Sequence, residues 1–134
     1  MKSAFSMAAA DATDMMTQSE TSDAECPGKP RIMIHVIATI ELVAGQRDAF
    51  LNEFRALVPK VRAESGCLEY GPTIDVASGV PAQPTPRADV VTVVEKWTNL
   101  PALRAHLDAA HMQEYRLRVK HMVRSTTLQV LEPA

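Results

Sequence analysis

Between Ile32 and Val43 the side chains alternate. Ile32, Ile34, Val36, Ala38, Ile40 and Leu42 share one parity, and Met33, His35, Ile37, Thr39 and Glu41 share the other. A period of two puts the first set on one face of a strand, against a core, and leaves a mixed second face. Ala44-Gly45 ends the run, and the period then changes. From about Gln46 to Ala63, Phe50, Leu51, Phe54, Leu57, Val58 and Val61 form a single apolar stripe, with Arg47, Asp48, Glu53, Arg55 and Lys60 elsewhere. This is an amphipathic helix. Pro59 lies inside it and predicts a kink, because it lacks a donor and collides with the carbonyl four residues earlier. Gly66 supplies the stop.

A second strand is predicted from Cys67 to about Val76. The segment Ala77 to Ala88, with three prolines and a glycine, is a loop longer than an ordinary hairpin turn. A third strand runs from about Asp89 to Trp97. Thr98 or Asn99 can cap the helix that follows, and Pro101 is tolerated only in its first turn. Leu100, Leu103 and Leu107 give this helix an apolar side. A further helical piece spans about Ala109 to Val123, with Met112, Tyr115, Val119, Met122 and Val123 at helical spacing, and a last strand covers about Ser125 to Leu131.

Strand, helix, strand, strand, helix, strand is the split βαβ order. It predicts an α+β, ferredoxin-like fold with an antiparallel four-stranded sheet and the helices on one side. The other side of the sheet carries Met33, His35, Ile37 and Thr39, too apolar a set to leave in water. A second copy of the sheet would cover it, so a homodimer is expected.

Composition narrows the function. The 134 residues suit one domain. Residues 1–30 are expected to be a disordered tail, because Asp11 to Pro30 is rich in Ser, Thr, Asp and Glu and has almost nothing large and apolar to bury. The folded unit is then residues 31–134. The formal net charge of −2 and the scattered basic residues exclude a nucleic-acid-binding face. No apolar run approaches the ~18–20 residues of a membrane span. The short Ala/Met patch after Met1-Lys2 lacks the basic start and long apolar core of a secretory signal, so the cytoplasm is expected. Two cysteines, Cys26 and Cys67, make no disulfide framework and are expected as a free thiol and a small buried hydrophobe.

The chemistry-bearing residues concentrate in one stretch. Glu64-Ser-Gly66-Cys67-Leu-Glu-Tyr70 is followed by Glu95-Lys-Trp97 and by Leu103, His106 and His111. This gathers titratable side chains around one apolar layer, as a site for a small organic substrate requires. Each also has a structural explanation: Glu64 as the end of a helix and anchor of the Gly66 turn, Trp97 as core, the histidines as solvated helix residues.

Glu-x-Gly-Cys-x-x-Tyr, then Glu-x-Trp, then a leucine-rich helix start with His and a second His, resembles the antibiotic-biosynthesis monooxygenase family. The matching residues are Glu64, Gly66, Cys67, Tyr70, Glu95, Trp97, Leu103, His106 and His111, and the resemblance covers about residues 32–132. It implies a dimeric α+β barrel. It also implies a cofactor-independent monooxygenase acting with dioxygen on a small quinol or a phenolic, polycyclic aromatic substrate, with no metal, flavin or haem. The chain itself has no Gly-rich dinucleotide fingerprint and no metal-ligand spacing.

His106 is then the candidate base, since an unperturbed imidazole titrates near pH ~6.5. Tyr70 is the candidate hydrogen-bond donor to a substrate oxygen, and His111 the alternative catalytic histidine. Trp97 and Glu95 are the candidate substrate-binding pair on the third strand. A buried Glu95 needs a partner, expected to be an Arg or a His in a structural ion pair. His106 and His111 lie five positions apart, which leaves them ~140° out of alignment on a continuous helix. They can meet only if the helix breaks near Asp108-Ala-Ala. Two other functions stay open. One is a haem-degrading monooxygenase of the same fold, against which stands the absence of an Asn near Ala38 on the first strand. The other is a non-catalytic dimeric small-molecule-binding module.

Overall fold

The structure, a computed structural model, describes residues 33–134. The expected tail, residues 1–30, and the tail cysteine lie outside the described residues. The elements are β1 (Ile34–Leu42), α1 (Arg47–Arg62), β2 (Cys67–Thr73), β3 (Val90–Trp97), α2 (Leu100–Asp108), α3 (Ala110–Val119) and β4 (Val123–Leu131). The strands form one antiparallel sheet in the order β2-β3-β1-β4. This is the predicted ferredoxin-like arrangement.

The alternation in β1 decides which face the helices cover. Ile34, Val36, Ala38, Ile40 and Leu42 are all buried, while His35, Ile37 and Thr39 are only half-buried on the opposite face. In β3, Val91, Val93, Glu95 and Trp97 share the covered face. The apolar stripe of α1 packs against it: Phe50, Leu51, Phe54, Leu57, Val58 and Val61 are buried. Burial of these side chains, each worth ~1.5–3 kcal/mol, carries the stability of this layer. The helices do not reach across the whole sheet. Leu128 and Val130 of β4 pair with Ala38 and Val36 yet remain exposed, so the helix-side face opens at this edge.

As expected, α1 runs through Pro59 to Arg62, while two other boundaries differ from the sequence expectation, each for a local reason. Pro59 and Arg55 both lie on the exposed side, where a carbonyl without a donor can be solvated, and the Ala63 N–H donates to the Pro59 carbonyl at 3.2 Å. β2 stops at Thr73 rather than Val76. Asp75 leaves the sheet to take two guanidinium bonds from Arg87, at 2.8 and 3.0 Å, which staple the long loop and hold the Asp75 carboxyl down at about 2. α3 ends at Val119, not Val123. The Met122 carbonyl accepts from the Val43 N–H at 2.8 Å and Val123 pairs with Leu42, so the chain has already entered the sheet there.

Candidate active site

Three local features position the site. The first is the Gly66 turn between α1 and β2. Gly66 has φ +86°, and a Cβ there would lie 2.6 Å from Cβ of Ala102 and 2.8 Å from Oγ1 of Thr98. Only glycine fits both the left-handed backbone and the contact. The Gly66 carbonyl accepts from the Thr98 N–H at 2.9 Å. The turn is thereby pressed onto the first turn of α2, which Asn99 caps by accepting from the Ala102 N–H at 2.9 Å. Glu64, two residues before the glycine, is carried to the same helix.

The second feature is the junction of α2 and α3. Ala109 has extended backbone, φ −63° and ψ 146°, and serves as C-cap of one helix and N-cap of the next. The freed carbonyls are not wasted. Arg116 Nη2 donates to Leu107 O at 2.8 Å, and Gln113 Nε2 donates to Asp108 O at 3.1 Å. Because the helix breaks, His106 and His111 converge after all. Nδ1 of His106 lies 3.1 Å, and Nε2 of His111 2.5 Å, from the same carboxylate oxygen, Oε2 of Glu64. An ionised carboxylate only accepts. With Glu64 ionised, Nδ1 of His106 is therefore the donor, and the neutral form of the ring has its lone pair on Nε2.

The third feature is the covered face of β3. The Trp97 indole Nε1 donates to Oε1 of Glu95 at 2.9 Å. The expected ion pair with an Arg or His is thus replaced by a neutral donor two residues along the same strand. Burial pushes the Glu95 carboxyl above the usual carboxylate range, while the Trp97 hydrogen bond and the neighbouring His106 pull the other way. A raised value at a buried carboxyl beside an indole means that Glu95 can hold a proton where an exposed glutamate would have lost it.

Aromatic rings join these features. Tyr70 stacks on Phe54 with centroids 5.5 Å apart and meets the edge of His106 at 5.3 Å. Trp97 lies 4.7 Å from His106. His106 is fully buried, in contact with both a tyrosine and a tryptophan ring. Burial also drives the Tyr70 and Tyr115 hydroxyls far above their ordinary range, so both remain neutral hydrogen-bond donors. The Cys67 thiol is pushed up to about 12 by burial and by the Glu64 and Glu95 charges, and stays a thiol rather than a nucleophilic thiolate.

A cavity of about 450 Å³ lies between the helices and the sheet, open towards β4. Tyr70, Glu95, His106 and Tyr115, with Arg116, Lys120 and Thr126, are the polar residues of a wall that is otherwise apolar, including Phe54, Val93 and Leu128. The size and lining suit a small aromatic molecule. Among the described residues no group of three or more His, Cys, Asp or Glu is arranged to hold a metal ion. In the Glu64 cluster both imidazoles address one oxygen, an arrangement for hydrogen bonding.

Of the five residues singled out from the sequence, three line the cavity: Tyr70, Glu95 and His106. Trp97 is fully buried behind His106 and Glu95 and touches the cavity only through them. His111 sits outside the cavity wall and meets the same Glu64 oxygen as His106. Two further residues belong to the site. Tyr115 reads in the sequence as part of an apolar stripe, although a tyrosine one turn after His111 can be followed into the pocket. Glu64 reads in the sequence as the anchor of the Gly66 turn and as part of the family pattern, not as a catalytic or substrate-binding candidate. Its place two residues before Gly66 was the available signal, but its partners come from helices more than forty residues on.

Comparison with known proteins agrees with this geometry. The antibiotic biosynthesis monooxygenase family profile matches residues 33–118. The chain is 38% identical over 103 residues to the protein named probable quinol monooxygenase YgiN from Escherichia coli K12, a match covering 75% of this chain and 98% of that one. Among solved structures, PA3566 from Pseudomonas aeruginosa superposes with a TM-score of 0.64 at 25% identity, covering 80% of this chain and 99% of that one. Rv0793 from Mycobacterium tuberculosis does so with a TM-score of 0.62 at 25% identity, covering 76% and 95%. The chain therefore belongs to the antibiotic biosynthesis monooxygenase family and is, at the level of that family, a monooxygenase.

Proposed function

We propose that this protein oxidises a small quinol or related phenol with dioxygen, using no resident cofactor, and that His106 is its base. The observation that carries the proposal is a buried imidazole whose Nδ1 is occupied by Glu64 and which lines a largely apolar cavity beside two neutral tyrosine hydroxyls. The name of the Escherichia coli relative points to the same substrate class.

In this scheme Nε2 of His106 takes the proton of a quinol hydroxyl. The quinolate, held out of water, is electron-rich enough to reduce dioxygen directly. Tyr70 donates a hydrogen bond to the developing anion. One oxygen atom enters the ring as a hydroxyl and the other leaves as water. Two electrons come from the ring carbon that is hydroxylated and two from oxidation of the quinol to the quinone, so no further reductant is consumed. The proton taken at the start is returned to the reduced oxygen, and His106 is regenerated.

The test is oxygen uptake by the purified protein against a series of quinols, followed by mass spectrometry of the product formed under labelled dioxygen. One labelled atom in the product and one in water supports the scheme. Binding of the quinols without uptake would instead make the protein a small-molecule-binding module.

We also propose a homodimer joined through the sheet face turned away from the helices. Ile37 and Val94 are cross-strand neighbours there, and Val94 is exposed. Among the described residues no helix is long and apolar enough to cross a membrane.

A further inference from the structure

We infer that Glu64 and His111 are a positioning pair for His106, with Glu64 choosing the tautomer of the cavity imidazole and His111 holding Glu64 in place. The inference rests on the reading of His106 as base and gives specific roles to two residues that do not line the cavity.

The geometry is directional. Oε2 of Glu64 meets Nδ1 of His106, not Nε2. A carboxylate at Nδ1 stabilises the tautomer with hydrogen on that nitrogen, and so leaves the lone pair on Nε2. Without Glu64 the buried ring has no fixed choice, and the tautomer with hydrogen on Nε2 cannot act as a base there. The carboxylate itself must also be held. It sits in the turn two residues past the end of α1 and is partly exposed, and left alone it could swing into water. His111 prevents this by donating to the same oxygen at 2.5 Å. His111 is one-quarter exposed whereas His106 is 1% exposed, so the pair brackets Glu64 from the solvent side and the cavity side.

The chain is built to permit this bracket. Five positions separate the histidines, a spacing that a continuous helix would splay by ~140°. The extended residue Ala109 removes that constraint. Gly66, the one residue type that fits against Ala102, sets Glu64 at the right height. Trp97, packed on the ring at 4.7 Å, and Tyr70 at 5.3 Å then fix the ring plane. The other acidic group near the ring, Glu95, is engaged by the Trp97 indole and does not compete for Nδ1.

The pair is tested on the full-length protein with three substitutions and two measurements. Glu64→Gln keeps the shape but lets an amide N–H face Nδ1. It should lower kcat by ~10²–10⁴-fold with little change in KM, the pattern of a base locked in the wrong tautomer. His111→Leu should lower kcat by roughly 10–100-fold through loss of a charge-assisted hydrogen bond. His111→Gln, which can still donate to Glu64, should recover most of that loss. A merely structural role would not give this recovery at unchanged KM. The second measurement needs no turnover. Nitrogen NMR of the labelled imidazoles should find His106 with hydrogen on Nδ1 in the parent protein, and shifted towards Nε2 in Glu64→Gln. Parent-like kcat in Glu64→Gln, or a parent His106 with hydrogen on Nε2, overturns the inference. If no quinol supports oxygen uptake, the proposed reaction fails and the NMR result alone decides the pair.

Discussion

The indole nitrogen of Trp97 donates a 2.9 Å hydrogen bond to Glu95, two residues back on the same face of β3. A strand places such residues side by side on one surface, so the carboxyl brings its own donor into the core. This explains how a 6% exposed glutamate is tolerated without a basic partner. It also ties the residue that lines the cavity to the one that packs behind His106.

That relationship predicts a pH dependence. Burial raises the Glu95 carboxyl above its ordinary value of 4.5. The folded protein then holds a proton that the unfolded chain releases near 4.5, so this contribution to stability is complete below that pH and is lost as pH rises through the folded value. Glu95→Gln cannot ionise. It should melt at a higher temperature than the parent near neutral pH and at a similar temperature at pH ~4, the unperturbed carboxylate range. Parallel melting curves against pH for the two proteins would remove Glu95 as the titrating group.

His106→Ala should reduce kcat by ~10²–10⁴-fold, the range for a positioned acid–base group. Tyr70→Phe removes one neutral hydrogen bond to the developing anion, worth ~0.5–1.5 kcal/mol, and should lower kcat by roughly threefold to tenfold. Steady-state oxygen uptake measures both. Equal effects of the two substitutions would argue against a base at His106.

Gly66→Ala tests the turn that delivers Glu64. The left-handed backbone costs a non-glycine residue ~1–2 kcal/mol, and overpacking against Ala102 adds ~1–3 kcal/mol. Chemical denaturation should show a loss in this range, with kcat falling further than in a surface alanine variant of similar stability, because Glu64 moves. A variant as stable as the parent would mean that the α1–β2 turn can relax away from α2.

Val94→Lys tests the dimer. Val94 lies on the sheet face away from the cavity, opposite Ile37. A lysine there should give a folded monomer by light scattering, while the parent scatters as a dimer at micromolar concentration. A monomeric parent would rule out the proposed interface.

The sequence by itself determined the sheet, its covered face and the helix stripe. Period-2 alternation in β1 and the spacing of Phe50 to Val61 in α1 are local patterns that burial translates directly into orientation. It also determined that Thr98 or Asn99 caps a helix, of which the structure uses Asn99, and that Gly66 ends one, because those jobs need particular side chains at particular backbone angles. Tyr70, Glu95 and His106 were legible as site candidates on the same basis, from strand parity, helix position and resemblance to a family. Tertiary structure decided what these residues touch. Glu95 took Trp97 as its partner, Trp97 went behind the histidine, and His111 stayed outside the cavity. Glu64 became the centre of the polar cluster although its partners lie 42 and 47 residues away. Contacts over such separations depend on how α2 breaks at Ala109 and how the Gly66 turn seats on Ala102, and neither is written in any local periodicity.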